Sequence, residues 1–150
     1  MPAYEQDIET STFELLEHPS DFGLRVVSPH FESSLLMIAF GMLRSMYTLD
    51  KNRLLRRKTR ITKMIEAEDR EQSIVRFLQD MIHLVYVDRC MPVRMSLQPI
   101  AKHKYECLCT CIELSEDDDI PGAEIKAVTY HQLSIITEKG QCSITVFFDI

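Results

Sequence analysis

The residues of this chain best suited to chemistry fall in four short stretches. The chain stops at SITVFFDI, where the Asp149 carboxylate is followed at once by Ile150 and its α-carboxylate. Near the other end, LLEHPSDFGLRV brings Glu17, His18 and Asp21 into one turn. EIKAVTYH, residues 124 to 131, supplies Lys126 and His131. CLCTC sets Cys107, Cys109 and Cys111 at every second position. His18 and His131 are candidate general bases. A histidine in a turn or within a strand is, however, more often a surface or hydrogen-bonded structural residue.

The cysteines invite a zinc reading that geometry opposes. Alternate residues of a strand share a face at a spacing of about 6.8 Å, whereas tetrahedral zinc draws four ligands to about 2.3 Å. One strand cannot close such a site, so the three read as small core thiols. No phosphate-binding loop, dinucleotide fingerprint, nucleophile elbow or HExxH pair is present. In the last strand Cys142, Ile144, Val146, Phe148 and Ile150 share one face, and Ser143, Thr145, Phe147 and Asp149 share the other. By periodicity alone Asp149 is a solvated residue on a half-buried strand.

The elements that must carry these residues are legible as changes of period. TFELLEH and FGLRVV read as short strands joined by the turn EHPSD. At SPHFESSLLMIAFGMLRSMY the period becomes helical, with Ser28 suited to the N-cap and Pro29 to the first helical position. Phe31, Leu35, Met42 and Met46, widened by Leu36, Ala39 and Leu43, form a stripe broad enough for core packing rather than a methionine-rich docking surface. RITKMIEA is a strand. Asp69 with Gln72 opens a second helix, whose buried stripe is Ile74, Leu78, Met81, Ile82 and Val85. Strands over VRMSL, HKYECLCTCIEL, AEIKAVTYHQLSIIT and CSITVFFDI follow. The order ββαβαββββ predicts an α+β fold, a single two-layer domain of residues 12–150 with two helices packed on a largely antiparallel sheet. Residues 1–11 are polar and read as a flexible tail.

Composition narrows the class. At 150 residues, 45% hydrophobic and 27% charged, the chain suits one globular domain. The acidic start MPAYEQDIET lacks the features of a signal peptide, and the longest apolar run falls well short of the ~20 residues that span a bilayer. An odd cysteine number points to reduced thiols inside the cell, in cytoplasm or nucleus. KNRLLRRKTR, residues 51–60, holds six of the 17 basic residues, so the remainder opposes 11 basic to 23 acidic residues and repels phosphate. The basic stretch suits a nuclear-import signal, an acidic partner or a solvated connector. Any RNA contact is expected to be weak or indirect.

Taken together, the two motif segments and the chain end resemble the archease family, accessory proteins of the RtcB-type tRNA-splicing ligase. The family opens with a motif close to DHTAD before an apolar strand, matched here by Glu17-His18-Pro19-Ser20-Asp21. Its EVKAVTYH is matched by EIKAVTYH, and its members also end in Asp-Ile. Glu17 departs from the usual Asp, and Pro19-Ser20 from Thr-Ala. The resemblance runs from about residue 13 to 150. It implies a non-enzymatic cofactor that promotes guanylylation and multiple turnover of the ligase in tRNA splicing and RNA repair. It also implies a divalent cation, expected to be Ca²⁺, held by Asp21, Asp149 and Ile150, with Asp21, Lys126 and Asp149 as the functional set. Hard cations take several oxygen ligands, and a cation removes the repulsion of converging carboxylates. The competing readings are a stand-alone metal-dependent hydrolase with His18 or His131 as base, and a chaperone-like binding protein.

Overall fold

Period-two alternation dominates the second half of the chain, and it folds into long antiparallel strands. The computed structural model describes residues 3–17 and 22–150. In chain order the elements are β1 (Tyr4–Asp7), β2 (Glu14–Glu17), β3 (Phe22–Ser28), α1 (Phe31–Met46), β4 (Tyr47–Thr48), β5 (Lys58–Glu66), α2 (Arg70–Tyr86), β6 (Cys90–Ala101), β7 (Lys104–Glu113), β8 (Ile120–Pro121), β9 (Ala127–Glu138) and β10 (Gln141–Asp149). A 3-10 turn at Arg53–Leu55 precedes β5. Sheet I has the order β1-β6-β7-β5 and sheet II the order β2-β3-β10-β9, while β4 and β8 form a short ribbon. Every pairing is antiparallel.

The α+β class and antiparallel pairing are those the sequence pattern implies, and β1, β4 and β8 are additions to the expected order. The strands are shared between two sheets, and the helices lie between them. α1 packs on β3 and β10 of sheet II and on β1 and β6 of sheet I, and α2 bridges β9 to β5 and β6. The reason lies in α1 itself. Its residues from Ser34 through Leu43 are all buried, and a helix apolar on every side needs cover on every side. Met37, Met42 and Met46 are therefore core residues. α2 is amphipathic, burying Ile74, Phe77, Leu78, Met81, Ile82 and Val85.

Helix entry differs in detail from the sequence expectation. α1 begins at Phe31 with His30 at the N-cap, because Ser28 is committed to β3, where it pairs with Cys142. Ser28 instead shares a 2.7 Å hydroxyl hydrogen bond with Ser34, which lies 2.7 Å from the Cys142 carbonyl. α2 starts as expected: the Gln72 N–H donates to Asp69 Oδ1 at 2.7 Å, and Gln72 Oε1 accepts from the Glu68 N–H at 2.8 Å.

Part of the expected N-terminal tail is folded in. Residues 4–7 pair with β6, the Ile8 N–H donates to the Val93 carbonyl at 2.9 Å, and Ile8 is 5% exposed. Its polar composition reflects an edge strand with one solvated face. The basic stretch 51–60 also has structural work: Arg53 pairs with Glu9 and Arg56 with the buried Asp119. β7 turns Cys107, Cys109 and Cys111 into the core, each fully buried. Hydrogen bonding to Cys109 and burial together hold Cys107 and Cys111 as thiols. Among the described residues no helix is long and apolar enough to cross a membrane.

Candidate functional site

β10 is an interior strand of sheet II, with β3 on one side and β9 on the other. Its apolar alternation, Cys142, Ile144, Val146 and Phe148, faces the helices and is buried. That packing fixes the register, since a slip of one residue would turn every side chain to the wrong face. Phe148 pairs with Phe22 on one side and Val128 on the other, and their successor Asp149 pairs with Ala127. The Phe22 and Phe148 rings approach at a centroid distance of 6.0 Å. Past this aromatic contact the strand emerges from the core, so Asp149 is exposed and Ile150 is 55% exposed.

Lys126 meets the same tip. Its main-chain N–H donates to the Asp149 carbonyl at 2.8 Å, and its side chain is exposed. It stands one residue before β9 rather than within a strand, because the chain leading to it is tied to the end of α1. The Gly122 N–H donates to the Met46 carbonyl and the Ala123 N–H to the Ser45 carbonyl, both at 2.8 Å. Ile125, fully buried, then anchors the approach. A Cβ on Gly122 would sit 2.4 Å from the Ser45 carbonyl oxygen, so only glycine passes here.

The remainder of EIKAVTYH makes a feature the sequence did not announce. Thr129 pairs with Phe147 and Ser134 with Thr145, so residues 130 to 133 stand opposite Val146 alone. This bulge pushes Tyr130 (57% exposed) and His131 outward and places Gln132 in the left-handed region at φ 56°. The Thr129 hydroxyl closes its base by donating to the Phe147 carbonyl at 3.2 Å. His131 is thus on the bulge, some four residues along the strand from Ala127, the residue facing Asp149.

The structure brings Lys126, Asp149 and Ile150 together. Asp21, His18 and Pro19-Ser20 lie outside the described residues. β2 ends at Glu17 and β3 begins at Phe22, its pairing partner, at the same end of sheet II as Asp149. The oxygen donors described here are the Asp149 carboxylate, which enters no ion pair among the described residues, and the oxygens of Ile150. Among the described residues no group of three or more His, Cys, Asp or Glu side chains is placed to hold a metal.

Comparison with known proteins bears on this arrangement. The model of the archease protein family (MTH1598/TM1083) matches residues 13–150. Among solved structures the chain resembles the crystal structure of an archease, described as a possible chaperone, from Thermotoga maritima, with 23% identity, a TM-score of 0.62, and coverage of 90% of this chain and 94% of that one. It also resembles the solution structure of Methanobacterium thermoautotrophicum protein 1598, with 20% identity, a TM-score of 0.64, and coverage of 92% and 98%. At these identities the likeness to the two structures establishes a shared fold. No curated protein sequence matches significantly. With a family match that spans nearly the whole chain and takes in both motif segments and the tip, this protein belongs to the archease family.

Proposed function

We propose that this protein is a non-enzymatic accessory of an RtcB-type RNA ligase, promoting the ligase's guanylylation and repeated turnover in tRNA splicing and RNA repair within the cell. The observation that carries this reading is the register of sheet II. It gathers the start of the first motif's strand at Phe22, Lys126 of the second motif, and Asp149 at one exposed end. Segments more than a hundred residues apart in the chain meet at this end, where the Lys126 and Asp149 side chains are exposed.

In this reading Asp149, Ile150 and Asp21 would hold a divalent cation, Ca²⁺ in the first instance. Carboxylate and carbonyl oxygens are the donors a hard cation takes, and two of the three residues stand at one solvated tip. The described donors are fewer than the six to eight oxygens that Ca²⁺ uses. Asp21, water and the ligase are the sources for the rest. When bound, the cation would neutralise the tip and let it approach phosphates that bare carboxylates repel. Lys126, beside Asp149, adds a compact positive charge toward a nucleotide phosphate or an acidic group of the ligase. With a net charge of −6 the protein has little general affinity for RNA, which leaves RNA contact to the ligase.

The test is ligase turnover with and without this protein. Incorporation of labelled GTP into the ligase and the number of RNA joining events per ligase are followed together. Stimulation of both is expected, and its loss on Asp149→Ala. Full stimulation by the Asp149→Ala protein would overturn the assignment of the tip.

A further inference from the structure

The outer face of sheet II, turned away from the helices, carries a concave groove of about 600 Å³. Its floor is the Phe147 ring, which lies across β3 at Gly23. A Cβ at residue 23 would fall 2.6 Å from that ring, so glycine is what lets the floor sink. Leu16 lies beside it, opposite Gly23. Val27 and Ile136 flank Ser143 from either side and remain 49% and 50% exposed, although both are large apolar residues. The charged lining consists of Arg25, Lys139 and Glu138, with Arg25 paired to Glu14 at 3.5 Å, so the apolar residues set the character of the groove.

The groove and the tip share one face. Ser143, Thr145, Phe147 and Asp149 alternate with the buried residues of β10, so the Asp149 side chain projects on the groove side of the sheet. A macromolecule that receives the Asp149 carboxylate from this face of the sheet therefore meets the groove next to it. The strained bulge at Tyr130–Leu133 borders the same surface through Gln132. A second copy of this chain is a poor occupant. A two-fold contact would set one hollow against the same hollow and leave its apolar lining unfilled. A convex apolar segment fits the hollow and its exposed Val27 and Ile136.

We infer that this groove is the face on which the ligase docks, with a convex apolar segment of the ligase seated between Val27 and Ile136. The inference rests on the functional reading above and adds to it a separation of roles: the groove sets affinity, and the tip sets the effect on the ligase.

The test is a titration of ligase turnover against increasing concentrations of this protein, wild type and variants. Val27→Glu and Ile136→Glu should each raise the concentration for half-maximal stimulation by about tenfold while reaching the wild-type maximum at saturation. Asp149→Ala should give no stimulation at any concentration, yet should compete with the wild type and halve its stimulation when the two are present at about equal concentration. Met64→Glu, a substitution at a 50% exposed residue of sheet I, should match the wild type. The milder Val27→Thr and Ile136→Thr, checked by thermal melting, replace any glutamate variant that fails to fold and should give a smaller shift in the same direction. If wild-type protein does not stimulate the ligase, the proposed function fails and the groove with it. If the wild type stimulates and the groove variants keep its half-saturation, the docking face is overturned and the function stands. A dimer of the wild type in sedimentation that Val27→Glu dissociates would assign the groove to a second copy and likewise overturn the inference.

Discussion

The Arg56 guanidinium closes on the Asp119 carboxylate through two hydrogen bonds, of 2.6 and 2.8 Å. Asp119 also accepts from the Asp50 and Ser115 N–H groups, both at 2.9 Å, and is 4% exposed. The pair thus ties the basic connector to the loop that leads, through β8, to Lys126. Asp119→Asn should destabilise the protein at pH 7 by about 3 kcal/mol, the lower end for a broken buried pair, because Arg56 keeps some access to water. Thermal or denaturant unfolding of the two proteins measures the difference.

The same pair predicts a pH dependence. Burial alone would push the Asp119 carboxyl up, but the Arg56 hydrogen bonds and the two main-chain donors outweigh it and hold the group below the ordinary carboxylate range. A carboxylate depressed in the folded state contributes its full stability above its unfolded value, and loses it as pH falls through the folded one. The gap between wild type and Asp119→Asn should therefore be constant from pH 7 down to about 5, then narrow on acidification. A gap that widened in acid would contradict the assignment.

Divalent cations should raise the melting temperature if the tip holds one. A ligand that binds only the folded state stabilises by mass action, about 2.7 kcal/mol at a hundred times its dissociation constant. Titration with Ca²⁺ should shift the wild type upward, a chelator should reverse the shift, and Asp149→Ala should show none. Because Asp149 is exposed, that variant's own stability should lie within about 0.5 kcal/mol of wild type. Equal shifts in both proteins would place the cation elsewhere.

Gly122→Ala should act on Lys126 at a distance. Its methyl group cannot occupy a point 2.4 Å from the Ser45 carbonyl oxygen, so the segment must move off the end of α1. A cost of about 1–3 kcal/mol is expected from such overpacking. Ligase stimulation should fall along with it at temperatures where the variant remains folded. Stimulation at the wild-type level in the folded variant would show that Lys126 does not depend on this tether.

Thiol accessibility supplies a check on the core. Cys107, Cys109, Cys111 and Cys142 are buried, and only Cys90 is partly open. Burial pushes the Cys90 thiol up, so even it should react slowly with an aromatic disulfide reagent. Native protein should titrate at most one thiol on the time scale in which unfolded protein titrates all five. Rapid reaction of three or more would mean that β7 opens easily.

What the sequence disclosed follows from where its signals are local. The capping pair Asp69–Gln72, the stripe of α2 and the alternation of β10 are contained within a few residues, and each appears in the structure as read. The division into two sheets was hidden because period two marks a strand without naming its neighbour. Residues 4–7 were hidden because an edge strand needs little apolar content. SEDDDIPG shows four acids in a row, and nothing local tells that Asp119 alone is swallowed by Arg56 from the basic stretch. At the tip, alternation placed Asp149 correctly on the polar face, but its adjacency to Lys126 depends on a hydrogen bond across 23 residues of chain. The bulge at Tyr130–Leu133 is a mismatch of lengths between two strands, visible only once they are paired.

The interior position of β10 has a mechanical consequence. Ladder hydrogen bonds run perpendicular to the strand, and β10 has them on both sides, to β3 and to β9. A pull along the strand at its tip must shear both ladders at once, whereas the same pull on an edge strand would shear only one. The Phe22–Phe148 contact and the Thr129 hydroxyl brace the two ladders near the point of loading. The protein can therefore transmit force or torque from its tip to its body without giving way, as a rigid lever does.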